Sequence, residues 1–314
     1  KYGWIPKKTD KGNPKVDSAE LKKLSWPEAK LLVRYFDIQK LQGMVEDWIK
    51  RATTSRDGRI HGSVNTQGTV TGRMTASQPN LQQVSGDKRA RSLFVPRDGW
   101  KQVGIDASGL EARLLANRMS PWDDGEFGRV VLHEDIHTVN QQKAGLPTRD
   151  SSKTFFYALI YGAGDDKIGK IIDKGRKEGK IIKERYLKEM PALKKLLDNC
   201  KFQVAKKGTL TLLDGREVPC RSEHKALNVQ IQGDGAMIMK VAQTLFNHLL
   251  KPYQGKYNFM GTIHDEWQLE CEPDLAEEIG RLGVKAIRLA GERLGCVVDM
   301  DGEYRVGDNW SECH

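Results

Sequence analysis

Apolar positions recur along most of this chain at spacings of three and four, and in a few short stretches at every second residue. This pattern predicts many helices around a small set of strands. Residues 19–50 read as helical, broken at Ser25-Trp26-Pro27. There Ser25 is placed to cap and Pro27 to enter the first turn. Leu31, Leu32, Tyr35, Phe36, Ile38, Leu41 and Met44 supply its apolar stripe. Residues 1–18, rich in Gly, Pro and Lys, read as irregular, and short β-like pieces follow at 59–65, 69–71 and 92–95. A core strand over 103–105 ends abruptly in Asp106, and Ser108-Gly109 turns the chain into a helix from Leu110. Beyond it, helices are predicted over 135–146, 148–161, the Lys-rich 167–207 (interrupted at Pro191), 222–250 and 275–294. Asp214-Gly215 marks a hairpin within 212–218, and 258–271 reads as a second hairpin tipped by His264-Asp265-Glu266, with a short tail closing the chain. The order is α+β with the strands central, without repeats or low-complexity stretches.

Four groups of polar residues carry candidate chemistry. Asp106 sits at a strand end, where a rigid scaffold can present it to a ligand, although most such acids simply form turns. Asp265 is at the tip of a hairpin. If the two strand ends are neighbours, the pair could clamp two Mg²⁺ ions for in-line phosphoryl transfer; the alternative is a turn with a surface acid. Arg149, Lys153, Tyr157 and Tyr161 recur every fourth residue and form one stripe on the helix that Thr148 caps. Cations near a helix start oppose the macrodipole, so phosphates docking there would explain them, as would an ordinary solvated face. His224, Asn228 and Gln232 repeat the same spacing, and Thr71-Gly72-Arg73 offers an Arg in a Gly-flanked turn. Both suit sugar and phosphate edges of a duplex, or a polar surface.

Charge changes this picture. The net of +9 is distributed as +9 over residues 1–100, −3 over 101–139, +9 over 140–225 and −6 over 226–314. Basic segments flanking acidic ones suit a polyanion held at its edges with cations concentrated between, or a set of solvated faces. The five cysteines form no CxxC pair, which argues against a zinc site or a disulfide framework and fits a reducing cytoplasm. No run of 18 apolar residues and no leader pattern is present, so no membrane partner is expected. A first residue of Lys suggests a trimmed start, a processed end or a fragment.

These residues, in this order, resemble the motifs of family A (DNA polymerase I-like) DNA polymerases. The run from Asp106 to Arg113 resembles motif A; Arg149-Asp150-x-x-Lys153-x-x-x-Tyr157-x-x-x-Tyr161-Gly162 resembles motif B; His264-Asp265-Glu266 resembles motif C. Thr71-Gly72-Arg73 with Pro79-Asn80-Leu81 matches the motif before the palm, and the resemblance covers nearly the whole chain. Gly162-Ala163-Gly164-Asp165 and the ending Gly307-Asp308-Asn309-Trp310-x-x-x-His314 point to the replicative polymerases of podovirus-type phages.

The resemblance implies a right-hand polymerase with an antiparallel palm sheet, helical fingers and a partial thumb. The implied division is 1–55 partial thumb, 56–136 first palm segment, 137–222 fingers and 223–314 second palm segment. It implies Asp106, Asp265 and the Ala107 carbonyl as ligands of two Mg²⁺ ions. Arg149, Lys153 and His137 would hold the dNTP triphosphate, with Lys153 also a proton donor to pyrophosphate. Tyr161 would line the templating position, and Glu111 packed with Tyr157 would exclude a 2′-hydroxyl. Tyr at 157 further implies tolerance of a missing 3′-hydroxyl. Arg73, Asn80, His224, Asn228, Gln232 and His264 would hold primer-template DNA, and Glu266 would support the metal site.

The chain departs from the family's full-length pattern. It has no exonuclease-type paired acids, no complete thumb, no thumb insertion for a processivity factor, and a short 191–215 segment. The expectation is therefore a DNA-templated DNA polymerase core acting in the cytoplasm of an infected bacterium. The alternative is a primer-template-binding fragment that needs a separate polypeptide, carrying the exonuclease and the rest of the thumb, for activity. A single-subunit RNA polymerase is the nearest rival, against which Glu111 paired with Tyr157 speaks.

Overall fold

The computed structural model describes residues 3–314 and divides the chain into two compact units. The first runs up to Ser63 and includes Ala76–Arg91; the second comprises Val64–Thr75 and Ser92–His314. In chain order the helices are α1 (Ser18–Leu21), α2 (Pro27–Thr54), α3 (Lys88–Arg91), α4 (Leu110–Asp123), α5 (Glu126–His133), α6 (Ile136–Ala144), α7 (Arg149–Ile160), α8 (Asp165–Lys170), α9 (Arg176–Glu189), α10 (Pro191–Lys207), α11 (Ala226–Leu249) and α12 (Ala276–Arg293). The strands are β1 (Ser63–Asn65), β2 (Thr75–Ser77), β3 (Lys101–Ala107), β4 (Thr209–Thr211), β5 (Glu217–Pro219), β6 (Tyr257–Ile263), β7 (Glu266–Cys271) and β8 (Gly302–Gly307).

In the first unit α2 begins with Pro27 at its first position, where a missing N–H costs nothing. Its cap residue is Trp26, with no side-chain cap, and not Ser25 as the sequence suggested. Much of the apolar stripe lies on the outside: Leu31 is 67% exposed, Leu32 43%, Tyr35 57% and Ile38 52%. Only Ala29 and Trp48 of this helix are buried.

The second unit is built on one antiparallel sheet of order β6-β7-β3-β8. Asp106 pairs with Glu266 on one side and Glu303 on the other; Ile105 pairs with Trp267 and Tyr304. Because side chains alternate across a strand, the sheet has two distinct faces. Val103, Ile105, Trp267 and Leu269 form an apolar face packed on helices, with α12 across β3 and β8 and the Phe246 ring of α11 stacked on Trp267 at 5.1 Å. Gln102, Asp106, Glu266, Gln268 and Glu270 form the opposite, polar face. Most of it is buried, so each member needs partners. Gln102 donates to Gln268 at 2.7 Å, and Arg97 and Asn258 both donate to Glu270.

Several short elements differ from those predicted. The tail after α12 is not featureless: β8 is the edge strand beside β3. Its polar and apolar residues alternate over too few positions to stand out in a sequence. Among the β-like pieces, only 63–65 of the first is a strand, while 69–71 and 92–95 form turns and irregular chain. In the first hairpin the strands are 209–211 and 217–219, so Asp214-Gly215 lies within a longer loop. In the second, Glu266 is not at the tip but opens β7, buried opposite Asp106.

Candidate active site

The site begins where β3 stops. Ala107 donates its backbone N–H to the carbonyl of Asp265 at 3.0 Å, so the motif carrying Asp106 and the hairpin carrying Asp265 are hydrogen-bonded neighbours. The chain then reverses through Gly109, whose φ of +58° is a left-handed conformation that glycine adopts without strain. Arg113 donates back to the Ser108 carbonyl at 2.8 Å and holds this turn closed. At the hairpin tip His264 takes the left-handed position, φ +56°, unusual for a residue with a side chain. The tip is therefore overdetermined by its strands, and such strain concentrates at functional positions.

Asp106, Ala107, Glu111, Tyr157, Tyr161, His264, Asp265 and Arg73 line one open cleft of about 360 Å³. Burial pushes the Asp106 carboxyl up to about 7, reinforced by the neighbouring charges of Asp265, Glu266 and Glu303. Acids crowded in this way call for cations. Glu266 is already satisfied: Trp310 donates to one oxygen at 2.7 Å and His314 Nδ1 lies 3.0 Å from the other. Glu303 is exposed and outside the cleft lining, which leaves Asp106 and Asp265 as the available carboxylates within it. Among the described residues no group of three or more His, Cys, Asp and Glu side chains forms a metal cage. An open pair of carboxylates is instead how Mg²⁺ is commonly held, its remaining positions going to water and substrate phosphates. The donor set fits a hard divalent cation.

Across the cleft stands α7. Thr148 and Ser151 form a reciprocal capping box at its start, with bonds of 3.1 and 3.2 Å. Its inner face, Phe155, Phe156, Leu159 and Ile160, is buried, which turns Arg149, Lys153, Tyr157 and Tyr161 along the other side. Just past its end, a β-carbon on Gly162 would collide with the His224 carbonyl, so only glycine lets the segment before α11 approach α7 this closely. Tyr161 donates to both oxygens of Glu111, 2.9 Å from each, and Arg73 Nη2 lies 3.5 Å from the same carboxylate. Glu111 is thus hydrogen-bonded to Tyr161, while Tyr157 lines the same cleft; the Tyr157 and Tyr161 rings lie 6.5 Å apart.

The remaining predicted residues fall as follows. Lys153 is exposed one turn before Tyr157. Arg149 forms a two-pronged ion pair with Asp135 at 2.6 and 2.9 Å. The His137 ring rests against Phe156 and Tyr157, and its Nδ1 is buried without a partner. Burial first, then Arg149 and Lys153, lower its pKa and favour the neutral ring. Asn228 and Gln232 lie on α11, half-buried, and the Asn228 Oδ1 is likewise a buried acceptor without a partner. His224 lies in the 3₁₀ turn that precedes α11. Arg73 follows a Gly72 turn at φ +81°. Asn80 belongs to the first unit, where its side chain accepts from Gln82 N at 3.1 Å. The sequence reading missed Asp135 and the Trp310–His314 clasp on Glu266. An acid before a helix looks like any N-cap, and the clasp joins residues more than 40 positions apart in the chain.

A right-hand polymerase architecture is the class that this sheet, this paired-acid turn and this basic helix define. The family model for DNA polymerase family A matches residues 2–312, and the chain belongs to that family. It is 38% identical to a DNA-directed DNA polymerase of Enterobacteria phage T3 and 37% identical to that of Escherichia phage T7, in each case over 99% of this chain and 50% of the relative. The chain thus spans half the length of these relatives. Its fold matches the POL domain of Pol1 from M. smegmatis, solved in complex with DNA primer-template and dNTP. The TM-score is 0.86 and the identity 24%, over 98% of this chain and 58% of that one.

Proposed function

We propose that this chain is the core of a DNA-templated DNA polymerase that adds dNTPs to a primer 3′ end. The observation that carries this reading is the Ala107–Asp265 hydrogen bond, which joins the segments of two acids distant in sequence at one cleft that Tyr157 and Tyr161 also line. The phage relatives, named as DNA-directed DNA polymerases, support it.

In this reading Asp106, Asp265 and the Ala107 carbonyl hold two Mg²⁺ ions. Bound there, the ions would supply Lewis-acid activation of the primer 3′-hydroxyl and neutralise the departing pyrophosphate. The 3′-oxygen forms its bond to the α-phosphorus as the bond to pyrophosphate breaks. Arg149 and His137 bind the triphosphate, and Lys153 gives the leaving pyrophosphate a proton. Glu111, fixed by Tyr161 and Arg73, occupies the space beneath the sugar and leaves no place for a 2′-hydroxyl. Tyr157 lies under the same sugar, and its phenol can replace a missing 3′-hydroxyl's hydrogen bond. Tyr161 lines the templating position. Arg73, His224, Asn228, Gln232 and His264 contact primer-template DNA, and Asn80 joins them on the family pattern. Residues 1–55 are then a partial thumb, 56–136 and 223–314 palm, and 137–222 fingers, acting in the cytoplasm of an infected bacterium. Among the described residues no helix is long and apolar enough to cross a membrane.

Primer extension by the purified chain tests the reading: dNTPs should be incorporated in a template-dependent manner and rNTPs should not. Template-dependent RNA synthesis, or none under any condition, would defeat it. A second reading, dependence on a separate polypeptide carrying the exonuclease and the rest of the thumb, is favoured by the bare face of α2. Leu31, Tyr35, Ile38, Val45, Ile49 and Ala52 follow a four–three spacing interrupted only by Gln42, as a coiled-coil seam does; Leu31, Tyr35, Ile38 and Ile49 are exposed, Val45 and Ala52 half-buried. Under that reading extension appears only when the second polypeptide is added.

A further inference from the structure

Arg149 stands at the first position of α7, where its charge opposes the helix dipole and the local N–H groups would favour an anion. The anion it meets is Asp135. That carboxylate is itself anchored: it caps α6, accepting from His137 N at 3.3 Å and from Thr138 Oγ1 at 2.6 Å, while Arg149 closes on it with Nε at 2.6 Å and Nη2 at 2.9 Å. Arg149 above all, then Thr138, holds the carboxyl well below the usual range, so it is charged at any working pH. Its two oxygens occupy the guanidinium fork in the geometry that a phosphate would use. Both partners remain about half exposed, at 51 and 42%, so a ligand can reach and displace the pair.

We infer that Asp135 is an internal stand-in for phosphate: it keeps the Arg149 fork oriented and yields it to an incoming triphosphate, so that nucleotide binding is an exchange of anions. The inference rests on the proposed polymerase reading only in taking the triphosphate as ligand. Asp135 acts through Arg149 and is a positioning residue. An exposed ion pair contributes little, which is what makes the exchange possible. A triphosphate carries more charge than a carboxylate and extends to Lys153 one turn along. Asp135 therefore weakens nucleotide affinity and makes release easier.

The test uses Asp135→Asn, because Asn keeps the helix cap while removing the charge. Binding of inorganic tripolyphosphate in Mg²⁺ buffer should tighten about two- to fivefold, the range set by a surface ion pair. The gain should vanish in an Arg149→Ala background and be clearly smaller in Asp150→Asn, which removes an equal charge from α7 without breaking the fork. In primer extension KM for dNTP should fall with kcat unchanged or lower. Unchanged or weaker tripolyphosphate binding, an equal gain in Asp150→Asn, or a gain that survives Arg149→Ala would overturn the inference. The phosphate assay needs no catalysis, so an inactive chain would count against the polymerase reading and leave this result standing.

Discussion

The Tyr161 phenol shares its one O–H between the two carboxylate oxygens of Glu111, 2.9 Å from each, and Arg73 faces the same carboxylate at 3.5 Å. The carboxylate cannot rotate out of the cleft without breaking these contacts, and the Tyr161 hydroxyl is correspondingly pushed above its usual pKa range by burial and by Glu111 itself. Glu111→Ala should therefore raise ribonucleotide incorporation on the order of tenfold or more relative to dNTP. Single-nucleotide insertion kinetics with matched dNTP and rNTP pairs would read it. No change in the ratio argues that another group excludes the 2′-hydroxyl.

Asp265→Asn and Asp106→Asn should each abolish primer extension while leaving duplex affinity unchanged, since neither side chain is assigned to the DNA. Gel-shift titration beside the extension assay separates the two effects. Retained synthesis in either variant contradicts the two-acid assignment.

Four carboxylates, Asp106, Asp265, Glu266 and Glu303, share one corner of the sheet. Asp106→Asn relieves part of that crowding. In EDTA the variant should melt at a higher temperature than the unaltered chain. Added Mg²⁺ should raise the melting temperature of the unaltered chain and move the variant far less. Differential scanning fluorimetry decides, and equal Mg²⁺ responses would remove Asp106 from the metal site.

Away from the cleft, Arg118 grips the fully buried Asp234 with two bonds of 2.7 Å, and Gln230 and the Leu213 N–H complete the shell. Removing one member leaves the other's charge buried. Arg118→Ala should cost about 3–5 kcal/mol in urea unfolding. A loss below ~1 kcal/mol would mean that water reaches the site.

The α2 seam predicts the opposite balance. Ile38→Glu lies on an exposed face and should change stability of the chain by no more than about 0.5 kcal/mol. It should nonetheless abolish any gain in extension that a second polypeptide confers. If that gain survives intact, the seam is not the docking face.

Much of the cleft was legible in the linear order of residues because its parts are local. Arg149, Lys153 and Tyr157 fall on one side of α7 through helical periodicity alone, and Thr148 announces the start of that helix. That Glu111 takes its hydrogen bond from Tyr161 was not legible. A one-turn difference along the same stripe is invisible until α4 and α7 are placed against each other. The exposure of α2 was not legible for a related reason: periodicity says that a stripe exists, but not whether anything covers it.

By itself the chain's sequence determined where the motif acids lie, which helix carries the cations and most of the helical segments, though not α3 or α5. These follow from periodicity, capping and turn chemistry within a few residues. Tertiary structure alone decided that Asp106 and Asp265 meet, that Glu266 sits inside the sheet clasped by the tail, that β8 closes its edge and that Asp135 holds Arg149. Each of those depends on strand register or helix packing between distant segments, and such pairings are set by the burial of whole faces, which no short window of residues contains.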